Sequence, residues 1–360
     1  MTVLQLGPYP PPHGGVQTNI VAIREHLRRH GMRAPVINLT RHRAKEADDV
    51  YYPESAAEVI KLLWSLPADI IHVHIGGLLT GRLLVLCLLC TMLPGKRVVL
   101  TFHSGGYPSW QRGRRGRMFS FRNFVLRRLD AIIAVNAEIA QLFRSVGVSP
   151  SRISVRSPYS PVAVSENDQV PESLRTFCDS HQPLLTTVGL LEPEYDLFLQ
   201  VKTFAGIRRE YPAAGLVIIG SGSLESELRR VISDDPAGGD ILLCGDVPHQ
   251  ATVKVISRSD AFLRTTWYDG DSISVREALQ LGVPVIATDN GMRPAGVHLI
   301  PPTNAEALST AVRSVFQAAT ARTTAPSASG VSDLDDLLDL YRSLLPAGRQ
   351  VTRESARTIS

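Results

Sequence analysis

Short apolar segments alternate with amphipathic segments along most of this chain of 360 residues. The apolar run 2–6 leads into a loop rich in proline and glycine, and apolar residues then recur at helical spacing from Val16 to Leu27. A second apolar run, 35–39, follows. Strand, loop, helix and strand in this order form a βαβ unit, in which the two strands are parallel. The alternation therefore predicts an α/β fold built on doubly wound parallel sheets.

The alternation occurs in two series, with a stretch rich in proline and serine between them. The first series ends with the strand pattern of 153–156, and the second begins with the apolar run Leu184–Val188. Each series has the order of a Rossmann-like domain, and such sheets bind ligands outside the carboxyl ends of their strands. We predict a first domain over 1–160, a linker over 161–180, a second domain over 181–317, a flexible segment over 318–332, a helix over 333–346 and a disordered tail over 347–360.

Composition is that of a soluble globular protein with a sizeable core, since 44% of the residues are hydrophobic and 20% are charged. The formal net charge of +4 is too small to indicate nucleic acid as a partner, and no recognised nucleic-acid module is present. We see no signal peptide, and the apolar run 83–93 is too short to span a bilayer, so we expect a cytoplasmic protein. Cys87 and Cys90 form a C-x-x-C pattern inside an apolar helical run, which indicates buried thiols.

The stretch 264–290 holds the densest set of candidate binding residues. Asp269 lies in a loop that opens a short amphipathic helix, Ser272 is placed as the N-cap, and Glu277 falls on the second turn. Gly282 is suited to the left-handed position that ends the helix, and a buried strand follows. The free N–H groups at the start of a helix attract phosphate. A carboxylate accepts hydrogen bonds only, so Asp269 and Glu277 suit sugar hydroxyls.

Two features of the first series also fall where doubly wound folds bind ligands. Gly14 and Gly15 precede the first helix, where glycine lets the backbone approach a ligand and free N–H groups favour an anion. A tight strand-to-helix turn explains the same pair equally well. His103 directly follows an apolar strand pattern, at the carboxyl edge of the predicted sheet. We interpret His103 as functional, whereas His72 and His74 alternate within a strand and suit the core.

The most basic part of the chain, 111–128, also carries methionine and phenylalanine side chains. Basic and aromatic residues together suit an anionic membrane surface or the headgroup of a polyprenyl diphosphate. A solvated loop followed by an amphipathic helix explains the composition equally well. The candidates for contact with a membrane or an acceptor are Arg112, Arg114, Arg115 and Arg117.

The run 277–285, EALQLGVPV, resembles the C-terminal signature of family-4 retaining glycosyltransferases, with Asp269 at the first acidic position of that signature. The loop 9–16, YPPPHGGV, is similar to the N-terminal loop of the same enzymes, and 69–74, DIIHVH, resembles one of their strands. The resemblance implies the GT-B fold, in which two Rossmann-like domains face each other across a cleft. It also favours a helix over 333–346 that crosses back to the first domain.

The resemblance implies a reaction and roles for three side chains. A sugar moves from a nucleotide-sugar to a polysaccharide or to a glycan acceptor that is polyprenyl-linked, with retention of configuration and with neither a metal nor a cofactor. Glu277 would hold the ribose hydroxyls and Asp269 the sugar hydroxyls, while His103 would help to position the sugar. Many such enzymes work in the cytoplasm as peripheral proteins on the inner face of the membrane.

The chain departs from the family where the donor diphosphate would bind. The segment 188–195, VGLLEPEY, aligns with the family's V-G-R-L-x-P-E-K, so Leu190 and Tyr195 stand where arginine and lysine neutralise the diphosphate. Such contacts contribute several kcal/mol in a dry site. Arginines nearby in sequence, namely Arg264, Arg276 and Arg293, are candidates to supply the missing charge. The predicted donor-binding residues are Gly14, Gly15, Arg264, Ser272, Ile273, Glu277 and Arg293.

The lost cations also allow a second interpretation, which is a GT-B protein that binds a nucleotide or a partner without catalysis. We favour a glycosyltransferase, because Glu277 and the Gly14-Gly15 loop are retained. A GT-B epimerase or phosphorylase is a further alternative, although neither Lys202 nor Lys254 has a convincing setting for a pyridoxal cofactor. The sequence specifies neither the base and sugar of the donor nor the acceptor nor the oligomeric state.

Overall fold

The computed structural model describes residues 1–11, 14–40, 48–104, 120–157, 159, 164–165, 168–319 and 333–346. The chain divides into two compact units. Unit 1 consists of Met1–Pro11, Val16–Ser160 and Val331–Ser360, and unit 2 consists of Pro12–Gly15 and Pro161–Gly330. Each unit is an α/β domain built on a parallel sheet, which confirms the predicted fold class.

The first unit contains the strands β1 (Val3–Gly7), β2 (Val36–Asn38), β3 (Val50–Tyr51), β4 (Ile70–Ile75), β5 (Arg97–Phe102), β6 (Ala131–Ala134) and β7 (Ile153–Val155). The helices that alternate with them are α1 (Gly15–Arg29), α2 (Ala56–Ser65), α3 (Gly81–Thr91), α4 (Phe121–Arg128) and α5 (Ala137–Ser145). Within the described residues the strands form one parallel sheet in the order β3-β2-β1-β4-β5-β6-β7. The strand order therefore reverses between β1 and β4.

The sheet of unit 1 is buried on both faces, as parallel sheets are. Successive residues of a strand point to opposite faces. Leu4 of β1 therefore packs in one cluster with Cys87 of α3 and Phe143 of α5, while its neighbour Val3 packs in another cluster with Ile23 of α1. Burial raises the pKa of the Cys87 thiol to about 12, which confirms the prediction of a core cysteine rather than a reactive one.

Unit 2 contains the strands β8 (Leu184–Val188), β9 (Gly215–Ile219), β10 (Ile241–Gly245), β11 (Ala261–Arg264), β12 (Val285–Thr288) and β13 (Val297–Ile300). Its helices are α6 (Glu172–Ser180), α7 (Leu197–Glu210), α8 (Glu225–Asp234), α9 (His249–Ser257), α10 (Ile273–Gln280) and α11 (Ala305–Ala319). Within the described residues the strands form a parallel sheet in the order β10-β9-β8-β11-β12-β13. The strand order reverses between β8 and β11.

Helix α6 lies inside the range 161–180, which we predicted as a linker. Leu174 and Cys178 are spaced by four residues on this helix, and both are buried in a cluster with Val217 of β9. We did not predict this helix because the preceding residues are rich in proline and serine, which is typical of a linker. The stretch 172–180 is therefore part of the folded second unit.

The last described helix, α12 (Asp333–Leu344), packs on the sheet of unit 1. Its buried residues join the cluster that contains Val3 and Ile23. The hydroxyl of Tyr341 lies 2.6 Å from Nδ1 of His72, and Nε2 of His72 lies 2.6 Å from Oγ1 of Thr101. His72 is thus a core histidine with both ring nitrogens hydrogen-bonded, as its alternation within a strand indicated.

We expect the stability of unit 1 to fall as the pH drops below about 6.5, the ordinary pKa of histidine. Burial lowers the pKa of His72 to about 3, so below pH 6.5 the unfolded state binds a proton that the folded state does not. Between pH 6 and pH 4, the unfolding free energy of the wild type, measured in urea, is expected to fall with decreasing pH more steeply than that of a His72→Gln variant. The expected difference between the two slopes is about 1.4 kcal/mol per pH unit. His298 is exposed, so His298→Gln is the control and is expected to keep the wild-type slope. Equal slopes for wild type and His72→Gln would contradict the assignment.

Some predictions concern residues outside those that the structure describes. They include the four arginines Arg112, Arg114, Arg115 and Arg117, the tail 347–360, and the predicted flexible segment from residue 320 onward. The first two residues of that predicted segment belong to α11. Among the described residues, the helices are too short or too polar for any of them to cross a membrane.

Candidate functional site

The reversal of strand order between β8 and β11 marks the edge of unit 2 where a doubly wound sheet binds its ligand. Arg264 is the last residue of β11, and its Nη1 donates a hydrogen bond of 2.7 Å to the carbonyl of Val188 at the end of β8. Arg293 follows β12, and its Nε donates a bond of 3.0 Å to the carbonyl of Thr288. Two guanidinium groups therefore lie across three adjacent strand ends.

Both arginines converge on the carboxylate of Asp269. Arg264 forms two bonds with it, Nε to Oδ2 at 2.9 Å and Nη2 to Oδ1 at 3.1 Å, and Arg293 donates from Nη1 to Oδ2 at 2.9 Å. Burial alone would raise the pKa of Asp269, but the two guanidinium groups outweigh it, and the pKa is lower than usual. Two cations and one anion leave this arginine cluster with a net charge of +1.

Tyr195 explains part of the departure from the family pattern. Its ring lies beneath the guanidinium of Arg264, with 4.7 Å between the guanidinium carbon and the ring centroid. A Cβ on Gly189 would fall 2.3 Å from Cε1 of Tyr195 and 2.9 Å from Nη1 of Arg264, so this stacked pair requires glycine there. Leu190, the other departing position, is 43% exposed. Tyr195, at the family's lysine position, thus stacks against Arg264, which comes from the neighbouring strand β11.

Helix α10 begins just after this cluster. Ser272 occupies the N-cap position, but its side chain makes no capping bond, and its Oγ lies 3.3 Å from Oγ of Ser274. Ser272 and Ile273 are buried. Arg276 donates from Nε to Asp271 Oδ1 at 2.6 Å, so this arginine pairs with a different acid from Asp269. Gly282 ends the helix with φ of 73°, as predicted.

Glu277 is only 2% exposed and is held by a residue that the sequence analysis missed. Nε2 of His249, the first residue of α9, lies 2.6 Å from Oε1 of Glu277. An ionised carboxylate accepts only, so Nε2 carries the proton of this bond. His249 could have been predicted at this site from its position shortly after β10, because the carboxyl ends of β10 and β11 lie at the same edge of the sheet. The pair fixes the direction of the Glu277 carboxylate.

In unit 1, His103 follows β5 directly and is partly exposed. Its Nε2 lies 3.4 Å from Nδ1 of His74. Desolvation lowers the pKa of His103, so the imidazole is neutral at pH 7 and one of these two nitrogens donates to the other. Gly14 precedes α1 and Gly15 is its first residue. The structure thus brings Arg264, Asp269 and Arg293 into direct contact, while His103 pairs with a histidine of its own unit.

Two family models match this chain on separate stretches. Residues 13–158 match the model described as Glycosyltransferase Family 4, and residues 175–324 match the model described as Glycosyl transferases group 1. The chain is built from two glycosyltransferase domains. The predicted enzyme class is therefore confirmed at the level of these models.

Curated relatives of this glycosyltransferase chain match over part of their length. An uncharacterized glycosyltransferase of Methanocaldococcus jannaschii is 28% identical over 102 residues, which cover 28% of this chain and 25% of that protein. The amylovoran biosynthesis glycosyltransferase AmsK of Erwinia amylovora is 26% identical over 117 residues, which cover 31% of this chain and 29% of that protein. The matches thus span between a quarter and a third of the relatives.

Solved structures of glycosyltransferases share the fold over nearly the whole chain. HepE of Anabaena in complex with UDP-glucose has a TM-score of 0.66 at 14% identity, covering 89% of this chain and 91% of that one. The pneumococcal O-GlcNAc transferase GtfA in complex with UDP and GlcNAc has a TM-score of 0.65 at 13% identity, covering 96% and 99%. WaaG, a glycosyltransferase involved in lipopolysaccharide biosynthesis, has a TM-score of 0.61. These likenesses confirm the predicted GT-B fold.

Proposed function

We propose that this chain transfers a sugar from a nucleotide-sugar to a polysaccharide or lipid-linked glycan acceptor, with retention of configuration. The observation that carries the proposal is the arginine cluster of Arg264, Asp269 and Arg293 at the point where the strand order of unit 2 reverses. A positive site at the carboxyl edge of a doubly wound sheet suits a phosphorylated ligand. The complexes of HepE with UDP-glucose and of GtfA with UDP and GlcNAc support UDP-sugars as the first donors to test.

The donor diphosphate lies, in this proposal, between the arginine cluster and the start of α10. The backbone amides of Ser272 and Ile273 supply the positive end of a helix, and the Gly14-Gly15 loop supplies a second close approach of backbone. The net charge of +1 acts on the leaving diphosphate in a site with little water, where a fixed charge counts most. The cluster therefore takes the place of the cations that are absent at 190 and 195.

The two carboxylates have different capacities for donor hydroxyls. Glu277 accepts from His249 through Oε1, and in this proposal Oε2 accepts from a ribose hydroxyl. Asp269 already accepts three guanidinium bonds, and a carboxylate offers about four lone-pair sites, so it accepts one sugar hydroxyl. His103 is neutral and is proposed to position the sugar by hydrogen bonding. The leaving diphosphate oxygen then takes the proton of the acceptor hydroxyl.

The name of one relative bears on the class of acceptor. AmsK is named for amylovoran biosynthesis, which supports a polysaccharide acceptor. We propose a cytoplasmic protein that acts on a membrane-associated acceptor, with contact through Arg112, Arg114, Arg115 and Arg117. Vesicles that contain anionic lipid are expected to bind the wild type more strongly than a variant with these arginines replaced by glutamine.

A thermal-shift panel of UDP-, GDP-, ADP- and TDP-sugars tests the proposed donor site. At 100 times its Kd, a ligand stabilises the folded state by about 2.7 kcal/mol, so the correct donor is expected to raise the Tm by several degrees. The shift is expected to disappear in Glu277→Gln, which keeps the shape and removes the charge. The exposed Glu306 in the first turn of α11 gives a matched control, since Glu306→Gln is expected to keep the shift.

Each outcome of the panel has a distinct meaning. If no nucleotide-sugar shifts the wild type, the donor site is refuted. If a nucleotide-sugar shifts the wild type but no acceptor supports its turnover, the protein is a nucleotide-binding GT-B protein without catalysis. The departures at Leu190 and Tyr195 are the specific observation that favours this second candidate.

A further inference from the structure

A cluster of three metal-ligand side chains lies in unit 1, between the end of α1 and the start of α12. His26 lies in the last turn of α1 and His30 directly follows the helix, and their ring centroids lie 4.4 Å apart. Asp335 lies in the first turn of α12. One ligand atom from each of the three residues lies within 4.8 Å of the other two. Two imidazoles and a carboxylate form a donor set that transition metals prefer.

The buried nitrogen of His26 lacks a hydrogen bond. His26 is 7% exposed, and its Nε2 is buried without a hydrogen-bond partner, although Oδ1 of Asp335 lies 3.3 Å away. A buried nitrogen without a partner is costly unless something binds it.

The second histidine is held in the tautomer that a metal requires. Nδ1 of His30 lies 2.9 Å from the backbone carbonyl of His26. A carbonyl accepts only, so Nδ1 of His30 carries the proton and Nε2 has the free lone pair. Metal-binding histidines commonly donate their other N–H to a backbone carbonyl, which orients the ring. The local hydrogen bond thus prepares His30 as a ligand.

We propose that His26, His30 and Asp335 bind a divalent transition-metal ion, with Zn²⁺ as the best fit. The 3.3 Å between His26 Nε2 and Asp335 Oδ1 matches the edge of a tetrahedron whose arms are about 2.0 to 2.1 Å long, the usual Zn–N distance. Asp335 is exposed, so water can complete the fourth position. Arg29 adds a nearby positive charge that opposes the cation, and we expect a Kd in the micromolar range.

The ion would connect two helices that are remote in sequence. His26 comes from the last turn of α1 and His30 from the residue that follows it, and Asp335 comes from the last described helix. An ion that binds the folded arrangement and not the unfolded chain stabilises it by mass action. The ligands include none of the predicted donor-binding residues, so this structural site is independent of the proposed function.

Calorimetric titration of the metal-free, untagged full chain with ZnCl₂ tests the site. We expect one ion per chain, and we expect His30→Gln and Asp335→Asn each to weaken binding at least tenfold. Both replaced side chains are at least partly exposed, so the two variants are expected to fold, and circular dichroism without metal checks this. The exposed His298 of unit 2 provides the control, and His298→Gln is expected to bind like the wild type.

Substitution with Co²⁺ gives a second measurement that does not depend on activity. Ligation by two histidines and a carboxylate in a tetrahedral site is expected to give a visible absorption band in the wild type that is lost in Asp335→Asn. Absence of a saturable Zn²⁺ site in the wild type would overturn the proposal. Binding of equal affinity in the wild type and in both folded variants would overturn it as well, because the ion would then lie elsewhere.

Discussion

Replacing Arg264 with methionine is expected to lower kcat/KM for glycosyl transfer by about 100- to 1000-fold. The change removes the guanidinium that bonds Val188, stacks on Tyr195 and holds Asp269, and it leaves the arginine cluster without its net positive charge. Arg264→Lys is expected to be nearly as impaired, because an ammonium group cannot form the two parallel bonds to Asp269. Initial rates with the donor identified by the thermal-shift panel measure the effect.

Two further variants separate the loss of function from a loss of folding. Breaking a buried ion pair on one side is destabilising, whereas replacing both partners with apolar residues is often neutral. The triple variant Arg264→Met, Asp269→Leu, Arg293→Met, which also removes the buried second guanidinium, is therefore expected to regain stability and to remain inactive. Arg313→Met removes a half-exposed arginine of α11 and is expected to retain activity. Activity of Arg264→Met within threefold of the wild type would show that the cluster does not serve the donor.

Replacing Tyr341 with alanine is expected to destabilise unit 1 by about 3 to 5 kcal/mol, the usual cost of deleting a large aromatic side chain from a core. Tyr341 is fully buried on α12, and its hydroxyl bonds His72 in the centre of the sheet. Tyr341→Phe keeps the ring but leaves Nδ1 of His72 without its partner, for an expected cost of about 1 to 3 kcal/mol. Urea unfolding followed by circular dichroism measures both.

A neighbouring residue of the same helix serves as the reference for these variants. Arg342 is partly exposed and pairs with Asp339 on the surface, so Arg342→Ala is expected to change the unfolding free energy by less than about 1 kcal/mol. Equal costs for Tyr341→Ala and Arg342→Ala would mean that α12 does not contribute to the core of unit 1. At position 341, stability is expected to rise from alanine to phenylalanine to the wild-type tyrosine.

The alternation of strands and helices was visible in the sequence because each buried strand is a continuous apolar run. The apolar run Leu184–Val188 coincides with β8 for this reason. Helix α6 escaped prediction because only Leu174 and Cys178 are buried along its short length. Local periodicity therefore reveals an element with a wide apolar face and misses one with a narrow face.

Most contacts of the candidate site join residues that are distant in sequence, and no local pattern encodes them. Arg264 and Arg293 were candidates only because they lie near the resembling run, and no sequence pattern indicated that both would contact Asp269. His249 lies 28 residues before Glu277, and its bond depends on how α9 and α10 pack. The stacking of Arg264 on Tyr195 is equally a product of the sheet, since β8 and β11 are neighbours only after folding.

Unit 1 takes its final helix from the far end of the chain, and this has a consequence during synthesis. When the ribosome has made the first 160 residues, the apolar surface of α1 and β1 that α12 covers is still open. Unit 2 draws nearly all of its residues from one continuous stretch and can fold next. Domains usually fold from the N-terminus onward as they emerge. In this protein unit 1 begins to be made before unit 2 and is completed after it, so its nascent chain offers an apolar surface to chaperones until α12 has emerged.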